Sequence, residues 1–115
     1  MKQIVVMEVL EVQGSNMEGR KNDIADDKLR WELLPLYLVK EVVKVFHFGA
    51  KKYTPNSWQN LENGYDRYKA AFFRHVEAFE SGELVDKESG LNHIAHAAWN
   101  ALAMLYFALK AEEEF

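Results

Sequence analysis

From Pro35 onward the apolar positions recur at helical spacing. Leu36, Val39, Val42, Val43 and Phe46 predict a first helix, with Pro35 suited to its opening turn and Gly49 to its stop. Tyr65, Tyr68, Phe72, His75, Val76 and Phe79 share one face of a second helix over residues 64–81, which Gly82 ends. The third, from Leu91 to about Ala111, is apolar nearly all round and is therefore expected to be central, with Ser89 or Asp86 as its cap. Ahead of these, Lys2–Val12 (KQIVVMEVLEV) alternates enough to predict a strand, with a helix as the alternative. A lone strand needs a partner, and no second one is visible. Gln13–Asp27 is polar and reads as a loop, as does Gly49–Trp58. The expected fold is mainly α, a bundle of three to four helices with a short N-terminal strand, in a single domain spanning residues 1–115.

Composition narrows the class. A chain of 115 residues, 49% hydrophobic and 28% charged, can bury one modest core. Leu91–Leu109 comes nearest to membrane-spanning length, but two histidines and two asparagines make it a core helix. Glu8 and Glu11 interrupt any secretion-signal pattern, and a chain without cysteine has no disulfide or thiolate chemistry. A cytoplasmic setting is expected. A net charge of −4 argues against a nucleic-acid polymer as partner, while local lysines and arginines leave small anions open.

The chemistry concentrates between Arg74 and Asn100, which holds three of the four histidines. His93, His96 and Asn100 stand at i, i+3 and i+7, so two imidazoles and a carboxamide share one face of an apolar helix. Burying them unpaired is costly, so they need partners. A divalent cation is one solution, with His75 as a further ligand and Zn, Mn, Fe, Co or Ni as metals suited to imidazole. A histidine–asparagine network that only pins the helices is the other. Glu83, Asp86 and Glu88 could complete a metal site, orient a water, or serve as solvated loop charges. Lys28, Arg30, Lys51, Lys52 and Arg74 could clamp phosphates. Tyr53, Asn56 and Trp58 could stack on and read a base, or Trp58 could sit in the core. Glu41 reads as a surface residue. No Walker loop, dinucleotide-binding glycine fingerprint or serine nucleophile elbow is present.

The ordered set Lys28-Leu-Arg-Trp-x-Leu-Leu-Pro35, Glu41, Gly49-Ala-Lys-Lys-Tyr53, Asn56-Ser-Trp58, Arg74-His75 and Gly82-Glu-x-x-Asp-x-Glu-Ser-Gly-x-x-His-x-x-His-x-x-x-Asn100 resembles the dATP/dGTP diphosphohydrolase (MazZ-type) family of phages and bacteria. That family is related to the MazG-like all-α nucleotide pyrophosphohydrolases. The resemblance covers about Asp27 to Leu105 and leaves residues 1–26 and the acidic tail outside. It implies a helical bundle, dimeric or larger, that cleaves a purine deoxynucleoside triphosphate to the monophosphate and pyrophosphate. Some phages use such an enzyme to feed a pool for 2-aminoadenine-containing DNA, which would place it in the host cytoplasm. It also implies a divalent cation, Mg or Mn foremost and Co or Zn as alternatives. The expected roles are His75, His93, His96 and Asp86 for the metal, and Glu41, Glu83 and Glu88 for catalysis. The five cations would hold phosphate; Tyr53, Asn56 and Trp58 would take the base; Asn100 would support the site. One departure stands out: MazG-like enzymes carry acidic residues where this chain has Arg74-His75 and His93-x-x-His96, so imidazoles would replace carboxylates. The rivals are a phosphohydrolase with a different product and a non-catalytic nucleotide-binding or assembly protein.

Overall fold

The structure is a computed structural model and describes residues 27–113. The predicted strand at Lys2–Val12 and most of the following loop lie outside the described residues. The chain divides into two compact units, one ending at Leu34 and one beginning at Pro35. In the first, Asp27 turns the chain with a φ of 57° and Trp31–Leu33 forms a 3-10 turn. Arg30 Nε donates to Glu32 Oε1 at 2.7 Å, and Leu29, Trp31 and Leu33 are exposed.

The second unit is built from three helices, α1 (Leu36–Lys52), α2 (Gly64–Glu80) and α3 (His93–Glu113), with a 3-10 turn at Ser57–Asn60. No strand is present among the described residues. As the all-round apolar pattern of α3 requires, it lies at the centre: α2 packs along it, and α1 and the 3-10 turn meet it too. Small side chains make this close approach feasible. Ala95, Ala97 and Ala103 of α3 are buried with Val45 of α1. Gly64, the first residue of α2, sits where a Cβ would fall 2.3 Å from Phe107 Cζ. An aromatic layer covers this core, with Trp99 edge-on to Phe46, Trp58 and Tyr68, and Tyr68 stacked on Phe107.

Three expectations require correction. Helix α1 does not stop at Gly49 but continues to Lys52, so Lys51 and Lys52 occupy its last turn rather than a loop. Nothing at Gly49 demands a left-handed backbone, and a single glycine slows a helix without ending it. Termination comes at Tyr53, whose N–H bonds Gly49 O at 2.8 Å, just before Pro55 disfavours helix at Thr54. The basic last turn also complements the helix dipole. Secondly, α1 turns Val39, Val42, Val45 and Phe48 inward and leaves Leu36, Val43 and Phe46 exposed; Tyr65 of α2 is exposed as well. Thirdly, α3 is capped by Asn92, whose Oδ1 accepts the Ile94 N–H at 2.7 Å. Asp86 instead accepts the Ser89 N–H at 2.8 Å within the connector.

The connector from α2 to α3 fixes where the histidines meet. Gly82, with a φ of 102°, allows its own N–H to reach Phe79 O and the Glu83 N–H to reach Ala78 O, both at 3.0 Å. This double closure of a helix end needs the left-handed residue that glycine supplies. An antiparallel bridge between Val85 and Asn92 then folds the connector back. His93 N–H donates to Leu84 O at 3.0 Å, so the start of α3 is tied to the first half of the connector.

Candidate functional site

The three imidazoles predicted from spacing do converge. The ring of His75 on α2 stacks on that of His96 with centroids 4.6 Å apart, and lies 5.1 Å from that of His93. His75 Nδ1 and His93 Nδ1 are 2.8 Å apart, so in the absence of a cation one of them donates to the other. None of the described hydrogen bonds ties an imidazole ring to backbone. His96 Nε2 lies 2.7 Å from Ser89 Oγ, and Ser89 Oγ also accepts the Leu91 N–H at 3.1 Å. The serine hydroxyl thus holds His96 Nε2 and the Leu91 N–H together. Asn100, buried beneath, donates from Nδ2 to His96 O at 2.8 Å.

The carboxylates separate into distinct roles. Donor atoms of His75, Asp86 and His93 all lie within 4.8 Å of one another. Asp86 Oδ2 is 3.9 Å from His96 Nε2. Glu83 Oε1 is 3.5 Å from His93 Nε2, a nitrogen that is buried and has no hydrogen-bond partner. Glu88 pairs with Lys52. Glu41 pairs with Lys44 at 2.9 Å on α1.

Protonation suits a cation. Burial, reinforced by the neighbouring His96 and His93, pushes the His75 pKa down to about 4. Burial also lowers that of His96, against the pull of Asp86. Asp86 is held below its usual range: burial would raise it, but the Ser89 hydrogen bonds and the nearby histidines outweigh that. At neutral pH His75 and His96 are thus lone-pair imidazoles and Asp86 is an ionised carboxylate, the forms a metal ion binds. The donor set of His75, Asp86 and His93 fits a divalent cation of the imidazole-accepting kind.

The cluster forms part of the wall of an open cleft of about 770 Å³. Lys52, Tyr53, Asn56, Trp58, Arg74, His75, Asp86, Glu88, His96 and Asn100 line it, which gathers most of the residues singled out from sequence. His93, Glu83, Glu41 and Lys51 do not line it. Lys28 and Arg30 belong to the unit ending at Leu34. Trp58 is half-buried against Trp99 and Tyr106 and also borders the cleft, so its core and lining roles coexist. The structure adds Arg67, Tyr68 and Trp99 to the lining. Arg67 lies seven residues, two helical turns, before Arg74, and that spacing on one helix face was the available signal. Trp99 Nε1 is buried without a partner. No helix among the described residues is long and apolar enough to cross a membrane.

By structure, this is a small helical domain with a histidine–carboxylate cluster set into the wall of an open cleft bordered by aromatic rings and cations. Comparison with known proteins narrows that class. The family model "dATP/dGTP diphosphohydrolase, N-terminal" matches residues 18–114, and the chain belongs to that family. The match extends beyond Asp27–Leu105 at both ends and takes in the acidic tail. A dATP/dGTP diphosphohydrolase of Salmonella phage PMBT28 is 34% identical over 93 residues, covering 81% of this chain and 30% of the relative. The chain therefore spans less than a third of that relative's length. No solved structure matches.

Proposed function

We propose that the cleft binds a purine deoxynucleoside triphosphate, dGTP or dATP, and hydrolyses it to the monophosphate and pyrophosphate with a divalent cation at His75, His93 and Asp86. The observation that carries this reading is the juxtaposition in one cleft of aromatic rings, cations and the imidazole–carboxylate cluster. Family membership and the phage relative support the substrate class. A cation there would offset phosphate charge and acidify water. Lys52, Arg67 and Arg74 would neutralise the remaining phosphate oxygens. Lys52 would exchange Glu88 for phosphate on binding, which frees the Glu88 carboxylate to take a proton from the attacking water. As the new oxygen–phosphorus bond forms, the bond to the bridging oxygen breaks and pyrophosphate leaves. Trp58 and Tyr53 would stack on the purine, with Asn56 at its edge. His96, held by Ser89, and Asn100 beneath it keep the cluster in register. Assembly of two or more copies belongs to this reading. Leu102, Leu105 and Leu109 share the outer face of α3 at 45 to 50% exposure, and burial against a second copy would remove them from water.

The decisive experiment is a panel of deoxy- and ribonucleoside triphosphates with Mg, Mn, Co or Zn, with products separated by anion exchange. Monophosphate and pyrophosphate are expected, and His93→Ala/His96→Ala should lose turnover while remaining helical by circular dichroism. Nucleoside and tripolyphosphate would refute it. A second reading, nucleotide binding without turnover, is favoured by the greater length of the phage relative, which leaves room for catalysis outside the matched third. Binding of the triphosphate with no product under any metal would establish it.

A further inference from the structure

We propose that Glu83 is a positioning residue: it accepts a hydrogen bond from His93 Nε2–H and thereby presents the Nδ1 lone pair of that ring to the cation shared with His75 and Asp86. This rests on the cation site proposed above and assigns the two nitrogens of His93 separate tasks. The starting observation is that His93 Nε2 is buried and has no hydrogen-bond partner, although a buried N–H almost always has one. The acceptor facing it is Glu83 Oε1, 3.5 Å away. A shift of about 0.6 Å would bring the pair to an ordinary N–H···O distance of about 2.9 Å. The Glu83 carboxylate is 40% exposed and free to make that shift. Its backbone is not free, because the Gly82 turn fixes Glu83 N–H on Ala78 O while Leu84 O accepts the His93 N–H.

The other nitrogen is placed differently. Nε2 is closed off from solvent, so an ion could reach it only by displacing its surroundings. Nδ1 faces His75 Nδ1 at 2.8 Å, where two lone pairs can share one ion. With the His93 proton held on Nε2 by Glu83, the hydrogen bond between the two rings must be donated by His75 Nδ1. Cation binding then requires His75 alone to move its proton to Nε2, while His93 is already in the binding tautomer. A carboxylate behind a ligating histidine fixes ring orientation and raises ligand basicity. Glu83 would thus act through His93 rather than on substrate, consistent with its position outside the cleft lining.

The test is titration calorimetry with Mn, Co and Zn salts alone, on the wild type, Glu83→Ala, Glu83→Gln and His93→Ala. Nitrogen-15 spectra of the histidine side chains would be recorded alongside. Glu83→Ala should weaken metal binding by about 10- to 100-fold, and Glu83→Gln less, since an amide oxygen still accepts the N–H. In the metal-free wild type, His93 should be the Nε2–H tautomer, and Glu83→Ala should shift it toward Nδ1–H, a change that a merely structural role would not produce. Metal bound equally well by wild type and Glu83→Ala, or bound on His93 Nε2, would overturn the role of Glu83 and leave the cation site standing. No metal binding by the wild type, or undiminished binding by His93→Ala, would overturn both. If Glu83→Ala loses helicity, Glu83→Met decides, since it keeps the bulk and removes the acceptor: wild-type tautomer and affinity in that variant would overturn the proposal.

Discussion

Acidification should destabilise this fold before its carboxylates titrate, and His75 sets the window. Its pKa is near 6.5 in an unfolded chain and about 4 in the folded one, because burial and the two neighbouring imidazoles disfavour a charge there. Between those values the unfolded chain binds the proton and the folded chain does not, so stability falls as the pH drops. The contribution is fully present above about pH 6.5 and is lost as the pH approaches 4. From pH 7.5 to 5.0 the linkage amounts to about 2 kcal/mol at 1.36 kcal/mol per pKa unit. His75 is only half-buried and water screens its surroundings, which reduces the expected loss to about 1 kcal/mol. For a domain of this size that is a fall of roughly 4 to 8 °C in Tm. His96, also lowered by burial, acts in the same direction. Asp86 does not contribute in this window: its pKa is held below the usual carboxylate range, so its stabilising effect is lost only at lower pH. The assay is thermal melting by circular dichroism at both pH values, in chelator-treated buffer, for the wild type and His75→Asn. The variant should show a markedly smaller acid shift. An equal shift in both proteins, or none in the wild type, would refute the reasoning.

Two substitutions probe the scaffold and the cleft separately. Gly64→Ala would drive a Cβ to within 2.3 to 2.8 Å of three atoms of the Phe107 ring, which is itself stacked on Tyr68. A loss of about 1 to 3 kcal/mol in urea unfolding is expected, and pairing it with Phe107→Leu should cost less than the two changes summed. Lys52→Ala removes a partly exposed ammonium whose only described ion pair is with Glu88. Steady-state kinetics should show KM for the triphosphate rising on the order of tenfold, as for loss of one charge-assisted contact, with the melting temperature unchanged.

The helices were legible because periodicity is a local property, and their faces were less so because α1 carries more apolar residues than its neighbours can cover. Leu36 and Val43 fit the helical rule as well as Val45 and Phe48 do, yet only the latter pair faces inward. Caps failed for a related reason. Ser89 and Asp86 are good cap residues by chemistry, but they satisfy each other's turn, and the vacancy passes to Asn92. The i, i+3 pair on α3 correctly signalled one polar face, whereas the partner ring of His75 depends on how α2 packs, which no local pattern encodes. The glutamates show the limit most clearly. Glu41, Glu83 and Glu88 are equivalent as residue types, and only the folded chain distinguishes them. One pairs with a lysine on its own helix, one faces a buried imidazole nitrogen, and one holds the lysine at the rim of the cleft. A charge acquires a role from what is buried beside it, so the orphaned nitrogen of His93 says more about Glu83 than the acidic run in which it occurs.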